Sequence, residues 1–473
     1  MPSLLKNTVI YTIGRMFPQM ANFILLPLYT RYLSTDGYGI VESMLVFGMI
    51  LSIFLSMASE RSMFRLYYDY GSIKGRMYFV GNVFLLILMS STFFTVGLFL
   101  FDDYVTIIYE SIEFNPYYVY TIVSSFCLSY SFIPMTLFQV EGKAINFIFL
   151  NIGIFLLNTA FIVFFVVIEE QGSEGYLKGK MIASIILLPV FLWIIFKRSI
   201  VKFKFEVLKN ILSFSIPMIP VLIMAWVLNM SNRIFIEQYY SLEEVGVFSL
   251  AFKIASLGSI ILAALFTSYN PVFYKIANEK GVRDAKPELK KVNNVIIIAV
   301  FAVLGVIAFL SEELIMVVFD SRYHLAGKLI PVLLLSVLFV QLTGLLNLMI
   351  YQQKKTYLVT IVSVVGAFTS VGLNFILVPN YGMWGAAYAS ALTSFFMFLL
   401  EYIFATKAYF IPMPIFRISG WLVVLSVVIY VGNYFLSETI WLKLLVKLLL
   451  IVLMIAFFYQ NNRGKIQFLL KDF

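Results

Sequence analysis

Three ionisable residues stand where a charge is expensive. Arg15 in "IYTIGRMFPQM" (10–20), Lys253 in "SLAFKIASLG" (249–258) and Glu42 all lie inside long apolar runs. A charged side chain at the centre of a membrane helix costs about 2.5–3.5 kcal/mol, so it usually faces a bundle interior or a water-filled cavity. Arg15 lies nine residues beyond Lys6, near the midplane at about 1.5 Å per residue. Lys253 is a similar distance from the outer end of its run, and Glu42 lies just inside the outer end of its own. Two readings fit the cations. Either they snorkel along their alkyl stems or pair with carbonyls, or they line a polar path. Arg31, Arg61, Arg65 and Arg233 stand at the ends of apolar runs. Headgroup-facing anchors explain each of them, Arg65 best. Yet Arg15 with Arg31, and Lys253 with Arg233, put cations at matching depths in two halves of the chain. Facing one another, they would make a positively lined cleft. The planar guanidinium fork donates two hydrogen bonds at once, which suits a phosphate-bearing cargo. Arg15, Arg31, Arg61, Arg233 and Lys253 are the candidate binding residues, and Glu42 is a candidate coupling group.

Catalysis finds little material. His324 is the single histidine and Cys127 the single cysteine. No His/Cys/carboxylate cluster has metal-ligand spacing, and no Gly-rich phosphate loop with a following Lys occurs. The run "STDGYG" reads as turn chemistry. Membrane glycan-processing enzymes need a sizeable loop outside the bilayer to hold substrate, whereas the longest connections here run to about 20 residues. No catalytic residue, metal or cofactor is expected.

What positions the charged residues follows from composition. Of 473 residues, 61% are hydrophobic and 12% charged, with a mean hydropathy of +0.94. A soluble domain carries about 25% charged residues, so this surface faces lipid. The net charge of +9 does not indicate nucleic acid, because the charges fall in short loops between apolar runs. A span needs about 20 apolar residues. Fourteen are expected: 7–32, 39–59, 78–101, 117–138, 145–168, 177–196, 210–232, 245–268, 293–310, 328–350, 357–378, 383–406, 416–436 and 440–459. Backbone groups in lipid must pair within their own segment, so the spans are helices. The first run is too long for a signal-peptide core and lacks a cleavage site, so it is read as a retained span. The N-terminus, the loops after even-numbered spans and the C-terminal tail hold or border 24 of the 34 basic residues. Both termini are therefore expected in the cytoplasm.

An internal repeat is legible. "LLKN" (4–7) matches "VLKN" (207–210), "YLSTDGYGI" (32–40) matches "YYSLEEVGV" (239–247), and "GKMIAS" (179–184) matches "GAAYAS" (385–390). The spacing makes each unit six helices long. Six is even, so the copies should be parallel, related by a pseudo-two-fold axis along the membrane normal. The expected fold is an all-α polytopic membrane protein of about fourteen transmembrane helices. Its expected parts are a six-helix lobe (1–200), a cytoplasmic connector (201–209), a second six-helix lobe (210–408), and two further helices with a tail (409–473). Pro18 and Pro27 in span 1, and Pro217 and Pro220 in span 7, should interrupt these helices. They serve either as hinges or as the ordinary prolines of membrane helices. The runs "KRSIVKFKFEVLKN" (197–210) and "YKIANEKGVRDAKPELKK" (274–291) read as amphipathic connectors whose cations meet anionic headgroups.

Three blocks carry a resemblance: "LKNTVIYTIGRMFPQMANFILLPLYTRYLSTDGYG", "FSIPMIPVLIMAWVLNMSNRIFIEQYYSLEEVGVFSLAFKIAS" and "MIYQQKKTYLVTIVSVVGAFTSVGLNFILVPNYGMWGAAYAS". Together they resemble the polysaccharide-transporter branch (O-antigen and capsule flippases) of the multidrug/oligosaccharidyl-lipid/polysaccharide exporter superfamily. The resemblance implies two six-helix lobes around a cleft lined by spans 1, 2, 7 and 8. It implies a cargo of undecaprenyl-pyrophosphate-linked oligosaccharide moved from the cytoplasmic to the outer leaflet of a bacterial plasma (inner) membrane. The lipid bilayer is one implied partner, and a glycan polymerase with chain-length machinery is another. Spans 13 and 14 would form a groove for the lipid tail. Relatives often have Asp-Arg where this chain has Asn232-Arg233, which puts proton coupling at that position in doubt. The rival expectations are a cation-coupled multidrug exporter of the same superfamily and a non-transporting membrane scaffold.

Overall fold

A computed structural model of the chain describes residues 2–279 and 284–408, with Ile411, Gly420, Lys443 and Lys447; within the first helix the side chains of residues 2–13 and of Arg15 lie outside the described set. The described residues fold into helices joined by short turns, with no strand among them. The chain divides into two compact units, residues 1–246 and 247–473.

The first unit opens with α1 (Pro2–Tyr32) and α2 (Thr35–Ser56). Ser34 caps α2 by accepting the Gly37 N–H at 3.0 Å, satisfying one of the orphan donors of a first turn. The helix ends where Met57 and Ala58 both take left-handed backbone conformations, φ 49° and 51°, which turns the chain into α3 (Ser59–Leu66). Then come α4 (Ile73–Leu100), α5 (Phe114–Val140), α6 (Ala144–Ile168), α7 (Gly172–Lys197), α8 (Phe205–Met230) and α9 (Asn232–Tyr239). The prolines behave in two ways. α1 runs on through Pro18 and Pro27, so the expected interruption of span 1 is not seen. In α8 the α-helix stops at Ser215 and restarts at Met218, with Pro217 in the gap.

The core of this unit follows helical periodicity. Met44, Phe47, Leu51 and Leu55 form one stripe of α2, packed with Tyr109, Tyr118 and Ile122. The Phe47 and Tyr118 rings meet edge to face at 5.1 Å. The connector after α7 is pinned to α4. Asn82 donates to Lys202 O at 3.0 Å and accepts the Lys204 N–H at 2.8 Å, while Ile200 N donates to Met77 O at 2.9 Å. A Cβ at Gly81 would lie 2.2 Å from Ile200 O, so only glycine admits the connector this closely.

α10 (Leu242–Glu279) leads into the second unit, which continues as α11 (Lys286–Val318), α12 (Leu325–Gln352) and α13 (Thr356–Ala408). The last holds two helices broken at Gly382, whose φ of 54° and ψ of −133° are open only to glycine. The break falls between the expected spans 357–378 and 383–406. Ten helices among the described residues are long and apolar enough to cross a membrane, and the break makes the last of them two spans. With α1 over the first span, twelve of the fourteen expected spans are accounted for. Spans 13 and 14 lie outside the described residues, apart from Gly420, Lys443 and Lys447.

Candidate functional site

The first unit gathers buried charge where α2, α7 and α9 meet. α8 is docked on α2 by the Trp226 indole, which donates to Val46 O at 3.1 Å. Val46 is one turn from Glu42, and Trp226 is seven residues from Arg233, so the two helices run side by side in opposite directions. That register brings Arg233, 2% exposed, within electrostatic reach of Glu42, 3% exposed, and of Tyr38 and Tyr109. Lys180 of α7 is also within electrostatic reach of Glu42. A second carboxylate, Glu237 of α9, accepts the Ser111 N–H at 2.8 Å and ties the α4–α5 loop down over the cluster. The Tyr109 hydroxyl is fully buried, and that burial pushes it far above the usual phenol range. It serves the cluster as a neutral dipole.

Where do the expected binding residues stand? Arg233 and Glu42 come together. Arg31 is exposed in the last turn of α1, and Arg61 is exposed in α3. These two flank opposite ends of α2, whose 22 residues span about 33 Å. Lys253 belongs to the second unit and is half-buried in α10. Arg15 lies in α1, and its side chain is outside the described residues.

Two features near this cluster were not foreseen. The first is the repeat-matched pair Gly39 and Gly246. A Cβ on Gly39 would lie 1.9 Å from Leu242 O, and one on Gly246 would lie 2.1 Å from Thr35 O. Thr35 and Leu242 are themselves repeat mates, so the contact is reciprocal, as about a two-fold axis. The second is Lys180, which sits inside the repeat motif "GKMIAS"; a lysine opening an apolar run is ordinarily an anchor.

The second unit holds its own buried carboxylates. Glu313 of α11, 2% exposed, meets the fully buried Lys447 ammonium at 2.8 Å, and Lys447 also donates to Phe309 O at 2.9 Å. Glu401 in α13 is fully buried, and neither carboxyl oxygen has a hydrogen-bond partner among the described residues.

Residues 4–277, more than half of the chain, match the family described as "Polysaccharide biosynthesis protein". The chain belongs to that family. Among curated relatives it is 22% identical over 284 residues to "Lsg locus putative protein 1" of Haemophilus influenzae, covering 58% of this chain and 67% of that protein. It is 21% identical over 290 residues to an "Uncharacterized membrane protein" of the same organism, covering 59% and 68%. Among solved structures it is similar to "Lipid II flippase MurJ, inward closed conformation", with a TM-score of 0.76 at 15% identity over 96% of this chain and 99% of that one. It is also similar to an inward-facing multidrug resistance MATE family transporter, with a TM-score of 0.60 at 15% identity over 84% and 98%. At that identity the likeness shows the fold. This member of the polysaccharide biosynthesis family is a multi-pass membrane protein with the fold shared by MurJ and the MATE transporters.

Proposed function

We propose that this protein is a flippase that moves undecaprenyl-pyrophosphate-linked oligosaccharide from the cytoplasmic to the outer leaflet by alternating access. It would serve O-antigen, capsule or exopolysaccharide synthesis. The observation that carries the reading is the buried pair of Arg233 and Glu42, with half-buried Lys180 beside Glu42, inside an apolar bundle of a chain that belongs to a polysaccharide biosynthesis family. Glu42 faces two cations, Arg233 and Lys180, while Glu237 is engaged by the Ser111 N–H. A diphosphate entering it gains charge-assisted bonds without expelling a cation.

In this reading Arg15, Arg31, Arg61, Arg233 and Lys253 hold the pyrophosphate at successive stages. Because Arg31 and Arg61 flank opposite ends of α2, one headgroup meets them in turn rather than together. The sugar travels in water between polar walls while the polyprenyl tail stays in lipid. Glu42 is the coupling group: it neutralises Arg233 and Lys180 in the absence of cargo and is displaced by the competing diphosphate. No chemical bond is made or broken, so the protein acts as a transporter rather than an enzyme. It works in the bacterial plasma membrane with both termini in the cytoplasm, and hands its cargo to a glycan polymerase and chain-length machinery.

A cation-coupled multidrug exporter is the second reading, supported by the MATE-like fold. Mass spectrometry of polyprenyl-linked intermediates, in cells with and without the gene and with late glycan steps intact, separates the two. The flippase reading expects one undecaprenyl-pyrophosphate oligosaccharide to accumulate in the deletion. An unchanged lipid-linked pool together with new sensitivity to cationic dyes would replace it with the exporter.

A further inference from the structure

Away from the buried cluster, the first unit has a second cationic site. A cavity of about 520 Å³ opens between the Tyr67–Tyr68 segment after α3, the first turn of α4, the α5–α6 turn and the end of α7. Four cations line it, Arg76, Lys143, Lys197 and Arg198, against one carboxylate, Glu141. Glu141 acts as a strut. It accepts from Lys143 Nζ at 2.6 Å, from the Tyr67 hydroxyl at 3.0 Å and from the Arg198 guanidinium. Burial works to raise its carboxyl, but the Lys143 hydrogen bond, the Arg198 charge and the Tyr67 hydroxyl outweigh it and hold it below the usual carboxylate range. Glu141 therefore stays ionised and fixes two of the cations in place.

The other two cations remain uncompensated. Arg76 lies with its guanidinium carbon 4.7 Å from the Tyr68 ring centre and 5.4 Å from that of Tyr67, and its Nε donates to Tyr70 O at 3.2 Å. Its two terminal amino groups have no acceptor among the described residues. Lys197 Nζ rests 5.1 Å above the Trp193 ring, again with no acceptor among the described residues. The guanidinium is thus preorganised by stacking while its phosphate-facing edge is open. The pinned connector (Asn82 to Lys202 and Lys204) keeps the end of α7, and with it Lys197 and Arg198, from drifting.

The rim decides which phosphate. Ile73 is 79% exposed, Trp193 63% and Phe196 52%. Ile73 lines the cavity, and Trp193 and Phe196 stand on the same last turn of α7 as its cations Lys197 and Arg198. A pocket for a soluble anion has no use for such exposed apolar neighbours, whereas aromatic and apolar groups beside cations are the signature of the membrane interface. We infer that this cavity binds the phosphate headgroup of an anionic phospholipid, with the acyl chains leaving over Ile73, Trp193 and Phe196. Basic pockets between transmembrane helices commonly hold such headgroups, and the volume lies within the range of small-ligand sites. The site is separate from the proposed cargo cluster and does not depend on the flippase reading.

The test is a thermal-shift titration of the purified full-length protein in a neutral detergent. The probes are dioctanoyl phosphatidylglycerol, dioctanoyl phosphatidylcholine and glycerol phosphate. The expected result is a saturable rise in Tm with phosphatidylglycerol alone, and a tenfold or greater loss of apparent affinity in R76Q/K197Q. K197Q by itself alters only an exposed side chain and should fold as wild type, with a several-fold loss. Equal responses to both lipids, or unchanged phosphatidylglycerol affinity in K197Q and the double variant, would overturn the site. An equal response to glycerol phosphate would overturn its assignment to lipid.

Discussion

The glycine contact at the heads of α2 and α10 gives the sharpest prediction. Replacing Gly39 by alanine adds one methyl group, which in a helix ordinarily stabilises by about 0.5–1 kcal/mol through lost backbone freedom in the unfolded chain. Here the added Cβ would lie 1.9 Å from Leu242 O and 2.8 Å from its carbonyl carbon. An ordinary contact is about 3.4 Å, so the backbones must part by about 1.5 Å. The obstructing atoms are main chain, and no rotamer change can relieve them. Overpacking of this kind costs typically 1–3 kcal/mol, and more where nothing can yield. Strain wins, and the net expectation for Gly39→Ala is a loss of about 1–2 kcal/mol, with Gly246→Ala similar through its 2.1 Å approach to Thr35 O. The control is Gly153→Ala in α6, where a new Cβ meets nothing within 4 Å and stability should rise. Thermal unfolding of the three variants in one detergent reads the order directly. Gly39→Ala with a Tm at or above that of Gly153→Ala would refute the reasoning.

Four further outcomes are expected. Glu313→Gln or Lys447→Met, each breaking a fully buried ion pair, should lower stability by about 3–5 kcal/mol, while the Glu313→Met/Lys447→Met double variant recovers most of it; additive losses in the double-mutant cycle would contradict this. Glu401→Leu removes a buried carboxyl with no hydrogen bond among the described residues and should stabilise by about 1–3 kcal/mol, so a drop in Tm would reveal a partner. Glu141 is held below its usual range, so its contribution is complete above about pH 4.5 and is lost as pH falls through the folded value. The acid limb of the Tm–pH curve should therefore flatten in Glu141→Gln and stay unchanged in a surface control. Arg15→Ala should abolish glycan export at an unaltered protein level in the membrane, with Arg15→Lys partly active; wild-type export by the alanine variant would remove Arg15 from the cargo path.

The helices were legible because a bilayer leaves the backbone few options. An apolar run of about 20 residues has to be a helix, and the expected gap between 378 and 383 is where Gly382 breaks α13. The repeat was legible for the same reason, and Gly39 and Gly246, picked out as matched letters, are in atomic contact with each other's copy. Pairing was not legible. Nothing in the spacing of Glu42 and Arg233 announces their approach, because it depends on Trp226 reaching Val46 across 180 residues of chain. Arg198 stands in the connector run 197–210 that reads as headgroup-facing, and only the folded turn makes Glu141 a hub for three donors, Arg198 among them. The prolines show the limit of local rules. Pro217 sits in a helix gap whereas Pro27 does not break α1. Just beyond it, the Thr30 hydroxyl donates to the carbonyls of Leu26 and Pro27, at 3.1 and 3.2 Å.

The Glu313–Lys447 pair also has a consequence in time. The two residues are 134 positions apart, and a ribosome adding roughly 5–20 residues per second makes the lysine about 7–27 s after the glutamate. Throughout that interval Glu313 has no Lys447 to pair with, so this stretch of α11 either waits near the translocon or packs imperfectly. Arrival of Lys447 closes the account in one step, locking a late helix onto an early one. A nascent chain that stalls in between exposes an uncompensated carboxyl, a mark by which membrane quality control can tell an unfinished molecule from a finished one.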